Sequence, residues 1–198
     1  MKILMTAFDP FGGESVNASM ELLGSLPDRI GSAEIVKLIL PTVFRRSAEL
    51  VCGTMDALRP DGVICLGQAA GRDALTPERT AVNVMDARIC DNAGYRPVDE
   101  PIDPAGPAAY FSALPVRAMV ESMAAAGAPA RISESAGTFV CNSVMYALLR
   151  HREVHRLPIP CGFIHVPCLT ELPHGAELPS LPKDTALRGL IAAVRCIL

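Results

Sequence analysis

Apolar residues in this chain fall into short runs separated by breaks rich in proline and glycine. Residues Lys2–Thr6 and Glu34–Leu40 read as strands. Gly62–Gly67 is a continuous apolar run bounded by glycines, the pattern of a strand covered on both faces. Helical spacing fills the gaps, from Ala18 to Leu26 before Pro27 and from about Arg45 to Leu58 before Pro60. Strand and helix alternate, which predicts an α/β fold with a mostly parallel sheet and right-handed crossovers. In such a sheet, sites form outside the carboxyl ends of the strands, so the loops after Thr6, Leu40 and Gly67 should converge.

Further along, Ala81–Met85 is expected to be extended, and Asn92–Pro115 to be an irregular excursion with room for a hairpin. Val116–Ala126 predicts a helix ended by Gly127 and Pro129, and Arg131–Ser133 a short strand. A small-residue loop, Ser135–Thr138, then leads into a helix with Val144/Leu148 and Met145/Leu149 at i,i+4 spacing. Cys161–Pro167 reads as a strand carrying His165 near its carboxyl end. A long loop, Thr170–Pro182, precedes a last helix, Asp184–Leu198, with Leu187, Leu190, Ile191 and Val194 on one stripe. That stripe would serve the core or a subunit contact.

Composition narrows the classes. At 198 residues, half of them hydrophobic, the chain fits one globular domain, residues 1–198. A formal charge of −3 with no basic run leaves no footprint for nucleic acid, and no apolar run is long enough to span a bilayer. Seven cysteines without framework spacing, in a chain with no signal segment, suggest reduced thiols in the cytoplasm.

Cys141 sits where the small-residue loop hands over to its helix. Unpaired N–H groups and the positive end of the helix dipole there favour a thiolate, so Cys141 is a candidate nucleophile. The alternative is a buried thiol packing as a small hydrophobe. His165 lies one crossover away, so imidazole and thiol can meet at one sheet edge as a minimal cysteine nucleophile. Glu78, on the polar loop after Gly67, is the candidate orienting acid, with Asp73 and Asp86 as rivals. Phe8 and Phe11 flank a turn-rich loop, and either pack beneath it or wall an apolar slot. Asn17 either caps the first helix or points its amide into the site.

Cys161, His165, Cys168 and His174 offer two sulfurs and two nitrogens that zinc would accept, but their C-x3-H-x2-C-x5-H spacing matches no zinc knuckle. Gly12, Gly13, Gly67 and Gly71 form neither a P-loop nor a dinucleotide fingerprint. No metal or cofactor is therefore expected.

Several blocks accumulate into a resemblance. Phe8-Asp9-Pro10-Phe11-Gly12-Gly13, Leu40-Pro41-Thr42-Val43-Phe44, Gly67-Gln68-Ala69-Ala70-Gly71-Arg72, Thr76-Pro77-Glu78-Arg79, Asp86-Ala87-Arg88-Ile89, Ser135-Ala136-Gly137-Thr138-Phe139-Val140-Cys141-Asn142 and Gly162-Phe163-Ile164-His165-Val166-Pro167 resemble the pyroglutamyl peptidase I family of cysteine peptidases, in the family's order and over nearly the whole chain. The resemblance implies a three-layer α/β/α sandwich, a cytoplasmic homotetramer, and removal of an N-terminal pyroglutamyl residue from blocked peptides. It implies the triad Glu78, Cys141, His165, with Arg88 and the Cys141 N–H serving the oxyanion. Phe8 and Phe11 would sandwich the lactam ring, with Thr42, Ile89, Phe139 and Val140 completing the wall. Gln68 would bind the ring amide largely through its backbone, and Asn17 would hold Gln68 and its loop. Three positions depart from the family pattern: Cys90 stands where proline is usual, and Ala7 and Ala70 where glycine is common.

Overall fold

The computed structural model describes residues 1–198 apart from His174 and Ala176. In chain order the elements are β1 (Lys2–Phe8), α1 (Ala18–Ser25), β2 (Arg29–Ile30), β3 (Ala33–Leu40), α2 (Arg46–Leu58) and β4 (Gly62–Gln68). Next come β5 (Thr76–Pro77), β6 (Thr80–Val82), β7 (Ala109–Phe111), α3 (Val116–Ala125) and α4 (Val140–Val154). The chain closes with β8 (Cys161–Val166), β9 (Cys168–Leu169), β10 (Ser180–Leu181) and α5 (Lys183–Arg195). The main sheet has the order β2-β3-β1-β4-β8-β5. Its interior pairs β3·β1, β1·β4 and β4·β8 are parallel, and the short edge strands β2 and β5 are antiparallel to their neighbours.

Alternation along the central strands divides the core in two, which makes the molecule a three-layer sandwich. Ile3 and Met5 of β1, with Ile64 and Leu66 of β4, face Leu22 of α1, Met119 of α3 and Leu190 of α5. Leu4 and Phe8, with Val63 and Cys65, face Val51 of α2 and Val144 and Leu148 of α4. Because helices cover both faces, β1, β4 and β8 are buried along almost their whole length, as continuous apolar runs require. The stripe of α5 goes to this core: Leu190 and Val194 are fully buried, with Leu187 and Ile191 packed against them.

Three local expectations change. Arg131–Ser133 forms no strand: Ser133 makes one isolated bridge with Glu78, and Ala130 just ahead makes another with Leu75, on either side of the two-residue β5. The extended segment after residue 80 is cut to β6, which pairs with β7 across the 83–108 excursion. The long loop after Thr170 contributes β10, which lies parallel to β9. Among the described residues, no helix is long and apolar enough to cross a membrane.

Candidate active site

The register of the sheet brings the chemistry together. Gly67 of β4 pairs with His165 of β8, and His165 pairs with Thr76 of β5. α4 covers this face, and Cys141 is its second residue. The Cys141 sulfur rests directly on the backbone of Gly67: a β-carbon built there would lie 2.9 Å from Sγ. Sulfur and imidazole thus sit over adjacent strands on one side of the sheet, with the Phe163 ring centred 4.8 Å from the imidazole.

The start of α4 is fixed from its flank. Asn142 is fully buried. Its side-chain amide donates to the carbonyls of Val82 and Val84 at 2.9 and 3.0 Å, and its oxygen accepts from the Val82 N–H at 2.9 Å. Just ahead of the helix, Thr138 Oγ1 donates to the Asp86 carbonyl at 2.7 Å and the Asp86 N–H donates to the Thr138 carbonyl at 3.0 Å. The loop leading to Cys141 and the loop carrying Arg88 are therefore laced together. Gly137, in the left-handed region at φ +80°, makes the turn that allows it.

The helix start does not by itself produce a thiolate. Burial pushes the Cys141 thiol from 9.0 up to about 12, with the Glu78 charge and Cys65 adding to the rise and the residue's own N–H opposing it. A rise of that size is worth roughly 4 kcal/mol, whereas a helix terminus contributes about 0.3–1 kcal/mol. Desolvation outweighs the helix terminus and favours the neutral thiol.

Beneath it, His165 Nδ1 lies 2.6 Å from Glu78 Oε1, and Arg72 Nη1 donates to the same oxygen at 2.7 Å. Glu78 is 0 % exposed, and its Oε2 has no hydrogen-bond partner. Burial alone would raise its pKa. The hydrogen bond and charge of His165, with a contribution from Arg72, outweigh it and hold the carboxyl below its usual value. The Ser133 hydroxyl itself donates to the Ser135 carbonyl at 3.2 Å. The rival acids lie elsewhere: Asp73 is on the surface with Arg131, and Asp86 is exposed.

The remaining candidates ring the carboxyl ends of the strands. Phe8 is 2 % exposed and packs against Phe163 at 6.2 Å between centroids, so its ring belongs to the floor of the site. Phe11 is half-buried and leans on Phe139 at 6.0 Å, and Phe139 meets Phe44 edge-on at 5.3 Å. Val140 is fully buried, while Arg88 and Ile89 are exposed, with Ile89 Cδ1 3.5 Å from the β-carbon position of Gly12.

Asn17 caps α1, accepting from the Ser19 N–H at 2.9 Å, and donates to the Asp9 carbonyl at 3.0 Å. Gln68 Oε1 accepts from the Ala18 N–H at 2.6 Å, so the two amides share the helix start without bonding to each other. Thr42 gives its N–H to Asp9 Oδ1 at 2.6 Å and its hydroxyl to the Asp9 carbonyl at 3.2 Å. Asn92 joins the same carboxylate at 3.1 Å. Asp9 thereby ties three loops around the cleft.

Of the zinc candidates, His174 lies outside the described residues, and His165 Nδ1 is engaged with Glu78. Among the described residues, no group of three or more His, Cys, Asp or Glu side chains could hold a metal ion.

Sequence reasoning gave no role to Asp9, Gly67, Arg72 or Asn142. All four lie inside the quoted blocks, but each acts through a partner 6 to 83 positions away, and linear spacing carries no signal for such pairings.

A model of the pyroglutamyl peptidase family matches residues 1–198. The pyrrolidone-carboxylate peptidase of Levilactobacillus brevis is 49 % identical over 198 residues, covering all of this chain and 97 % of that protein. Pyrrolidone-carboxylate peptidase 1 of Caldanaerobacter subterraneus subsp. tengcongensis is 51 % identical over 92 % of this chain and 89 % of its own. The crystal structure of Bacillus amyloliquefaciens pyroglutamyl peptidase I superposes with a TM-score of 0.94 at 44 % identity, over 99 % of this chain and 96 % of that one. A full-length family match and a shared fold coincide with a buried His–Glu pair beneath a helix-start cysteine, and the chain belongs to the pyroglutamyl peptidase family.

Proposed function

We propose that this protein is a cysteine exopeptidase that hydrolyses the amide bond following an N-terminal pyroglutamyl residue, with Cys141 as nucleophile, His165 as proton shuttle and Glu78 as its orienting acid. The observation that carries the reading is the 2.6 Å Glu78–His165 contact, on the strand that pairs with Gly67 directly below the sulfur. Glu78, held ionised, accepts from Nδ1–H and leaves the Nε2 lone pair free as base. Because the resting thiol is neutral, its proton passes to Nε2 as sulfur attacks the scissile carbonyl. The tetrahedral oxyanion is met by the Cys141 N–H and Arg88. Collapse breaks the C–N bond, and Nε2–H protonates the departing amine. Water then adds to the thioester with His165 again as base, releasing pyroglutamate and restoring the thiol.

Chain chemistry suits that substrate. Pyroglutamate carries no ammonium, so a slot beside Phe11 and Phe139 takes it without burying an unpaired charge, which for an ordinary N-terminus costs several kcal/mol. The lactam N–H and C=O need partners, and the Gln68 backbone at the end of β4 would supply them. A site built around that carbonyl rejects proline. Ile89 and Thr42 close the slot, and Phe8 supports it from below through Phe163. Residues 1–198 act as one catalytic unit, in a cytoplasmic homotetramer as the family resemblance implies.

The test is hydrolysis of a chromogenic pyroglutamyl amide before and after complete thiol alkylation, alongside Cys141→Ala. Turnover lost in both cases, with product binding retained by Cys141→Ala, is the expected result. Activity that survives alkylation overturns the reading, and hydrolysis confined to free primary amides would make the protein an amidase.

A further inference from the structure

Arg72 stands just behind the histidine–carboxylate pair, and nothing in the steps above gives it a task. It follows Gly71, whose φ of +87° turns the chain back after β4. Its side chain is 27 % exposed, yet the guanidinium reaches the fully buried Glu78. The same Nη1 also donates to Thr76 Oγ1, and the Thr76 hydroxyl in turn donates to the His165 carbonyl at 3.3 Å. One guanidinium thus holds both ends of His165: its ring through Glu78 and its backbone through Thr76.

The geometry at Glu78 makes this more than a surface ion pair. Both hydrogen bonds converge on Oε1, while Oε2 is buried without a partner. A buried carboxylate with one unpartnered oxygen gains by rotating or by taking up a proton. Either change ends its service to Nδ1, because a protonated carboxyl can donate to that nitrogen and leave the imidazole in the wrong tautomer. Opposing charge fixes the rotamer and the ionised form together.

We infer that Arg72 is a positioning residue of the catalytic chain, locking Glu78 as the acceptor for His165 Nδ1–H while tying the His165 backbone through Thr76. The inference rests on the peptidase reading above, to which it adds a fourth member. The groups facing Glu78 are His165 from β8, Arg72 from the β4–β5 loop, Ser133 alongside, and Cys141 from α4. Arg79, next in sequence, is engaged with Glu134 at 3.4 Å. Arg72 is accordingly the cation that hydrogen-bonds this carboxylate.

The experiment compares Arg72→Gln and Arg72→Lys, each in the wild-type and Glu78→Gln backgrounds, on a pyroglutamyl aminomethylcoumarin. Arg72→Gln should lower kcat by about ten- to a hundredfold, by analogy with the loss of an outer partner of a metal-ligating histidine. KM should change by less than about twofold, since the lesion lies off the substrate. The acid limb of the kcat profile should move up by about one pH unit, as expected for a carboxylate deprived of its cation. Arg72→Lys, which keeps the charge, should recover part of the rate and most of the pH profile. In the Glu78→Gln background, Arg72→Gln should cost almost nothing further. An undiminished loss in that background, or a loss without movement of the acid limb, overturns the inference.

If Arg72→Gln does not fold, Arg72→Met replaces it, with the same fall in kcat and the same upward movement of the acid limb expected. The downfield proton resonance of His165 Nδ1–H gives a readout independent of turnover, and it should shift upfield or broaden in both Arg72 variants. Wild-type protein that turns over nothing refutes the peptidase reading, whereas an active wild type with unchanged Arg72 variants, or an unmoved Nδ1–H signal, refutes this one.

Discussion

The sulfur of Cys141 occupies the space that a side chain at residue 67 would fill. A β-carbon on Gly67 would stand 2.9 Å from Sγ and 2.7 Å from Phe163 Cζ, both inside ordinary contact. Gly67 has no unusual backbone conformation to explain it. A glycine there leaves room for the Cys141 sulfur to lie against the sheet at the level of His165, the register partner of Gly67.

Gly67→Ala should therefore injure both activity and stability. Phe163 or the α4 start must shift, at the roughly 1–3 kcal/mol typical of overpacking in a tight core. Thermal unfolding and kcat measured together check this. A variant that melts lower but keeps full kcat would show that the sulfur's position against the strand is dispensable.

Asn142→Ala removes the amide that holds the start of α4 to the Val82–Val84 backbone. Buried backbone groups left without partners cost about 1–3 kcal/mol each. With some relaxation, a net loss of about 2–3 kcal/mol is expected in a urea titration. Turnover should fall as well, because the segment that loses its anchor leads directly to Arg88. Unchanged kcat in folded protein would separate the clamp from catalysis.

The protonation state of Cys141 is open to direct measurement. A thiol whose pKa is pushed up to about 12 by burial and the Glu78 charge is neutral throughout the physiological range. The rate of iodoacetamide inactivation should climb with pH beyond neutrality and show no plateau in the acid range. A plateau below pH ~7, where a thiolate of ordinary pKa is scarce, would mean that a preformed thiolate–imidazolium pair replaces the proton transfer described above.

Glu78 links activity to acid stability. Its folded pKa is lowered, so the stabilisation is fully present above the unfolded value, about 4.3, and is lost as pH falls through the lower folded value. Glu78→Gln should remove that dependence. The wild type loses unfolding free energy more steeply than the variant below about pH 4. On activity, Glu78→Gln should be milder than loss of Cys141 or His165, because an orienting group commonly contributes less than the pair it serves. Parallel acid-unfolding curves for the two proteins would place the carboxylate's stabilising interactions elsewhere.

Most of the architecture is legible in the chain because its signals are local. Runs such as Gly62–Gly67 have no polar face, so they can only be strands covered on both sides, and the helices between them force the parallel arrangement. Elements only two residues long, such as β2 and β5, carry no periodicity and appear only when neighbours supply hydrogen bonds. The excursion 83–108 is held by bonds between separated positions, such as Asn83 on the Asp103 carbonyl at 2.7 Å, which no local pattern announces.

The same division runs through the site. Sequence by itself determined the fold class, the cysteine at a helix start, the histidine at a strand end and the acid on the intervening loop, because those features follow from short-range periodicity and residue chemistry. Tertiary structure alone decided that Asn17 caps α1 without a hydrogen bond to Gln68, that Phe8 goes to the floor, and that burial favours the neutral thiol. It also brought Arg72 onto Glu78 and the Cys141 sulfur onto Gly67. Desolvation, close packing and hydrogen bonding between distant segments depend on what surrounds a group in space, and only the folded chain specifies that.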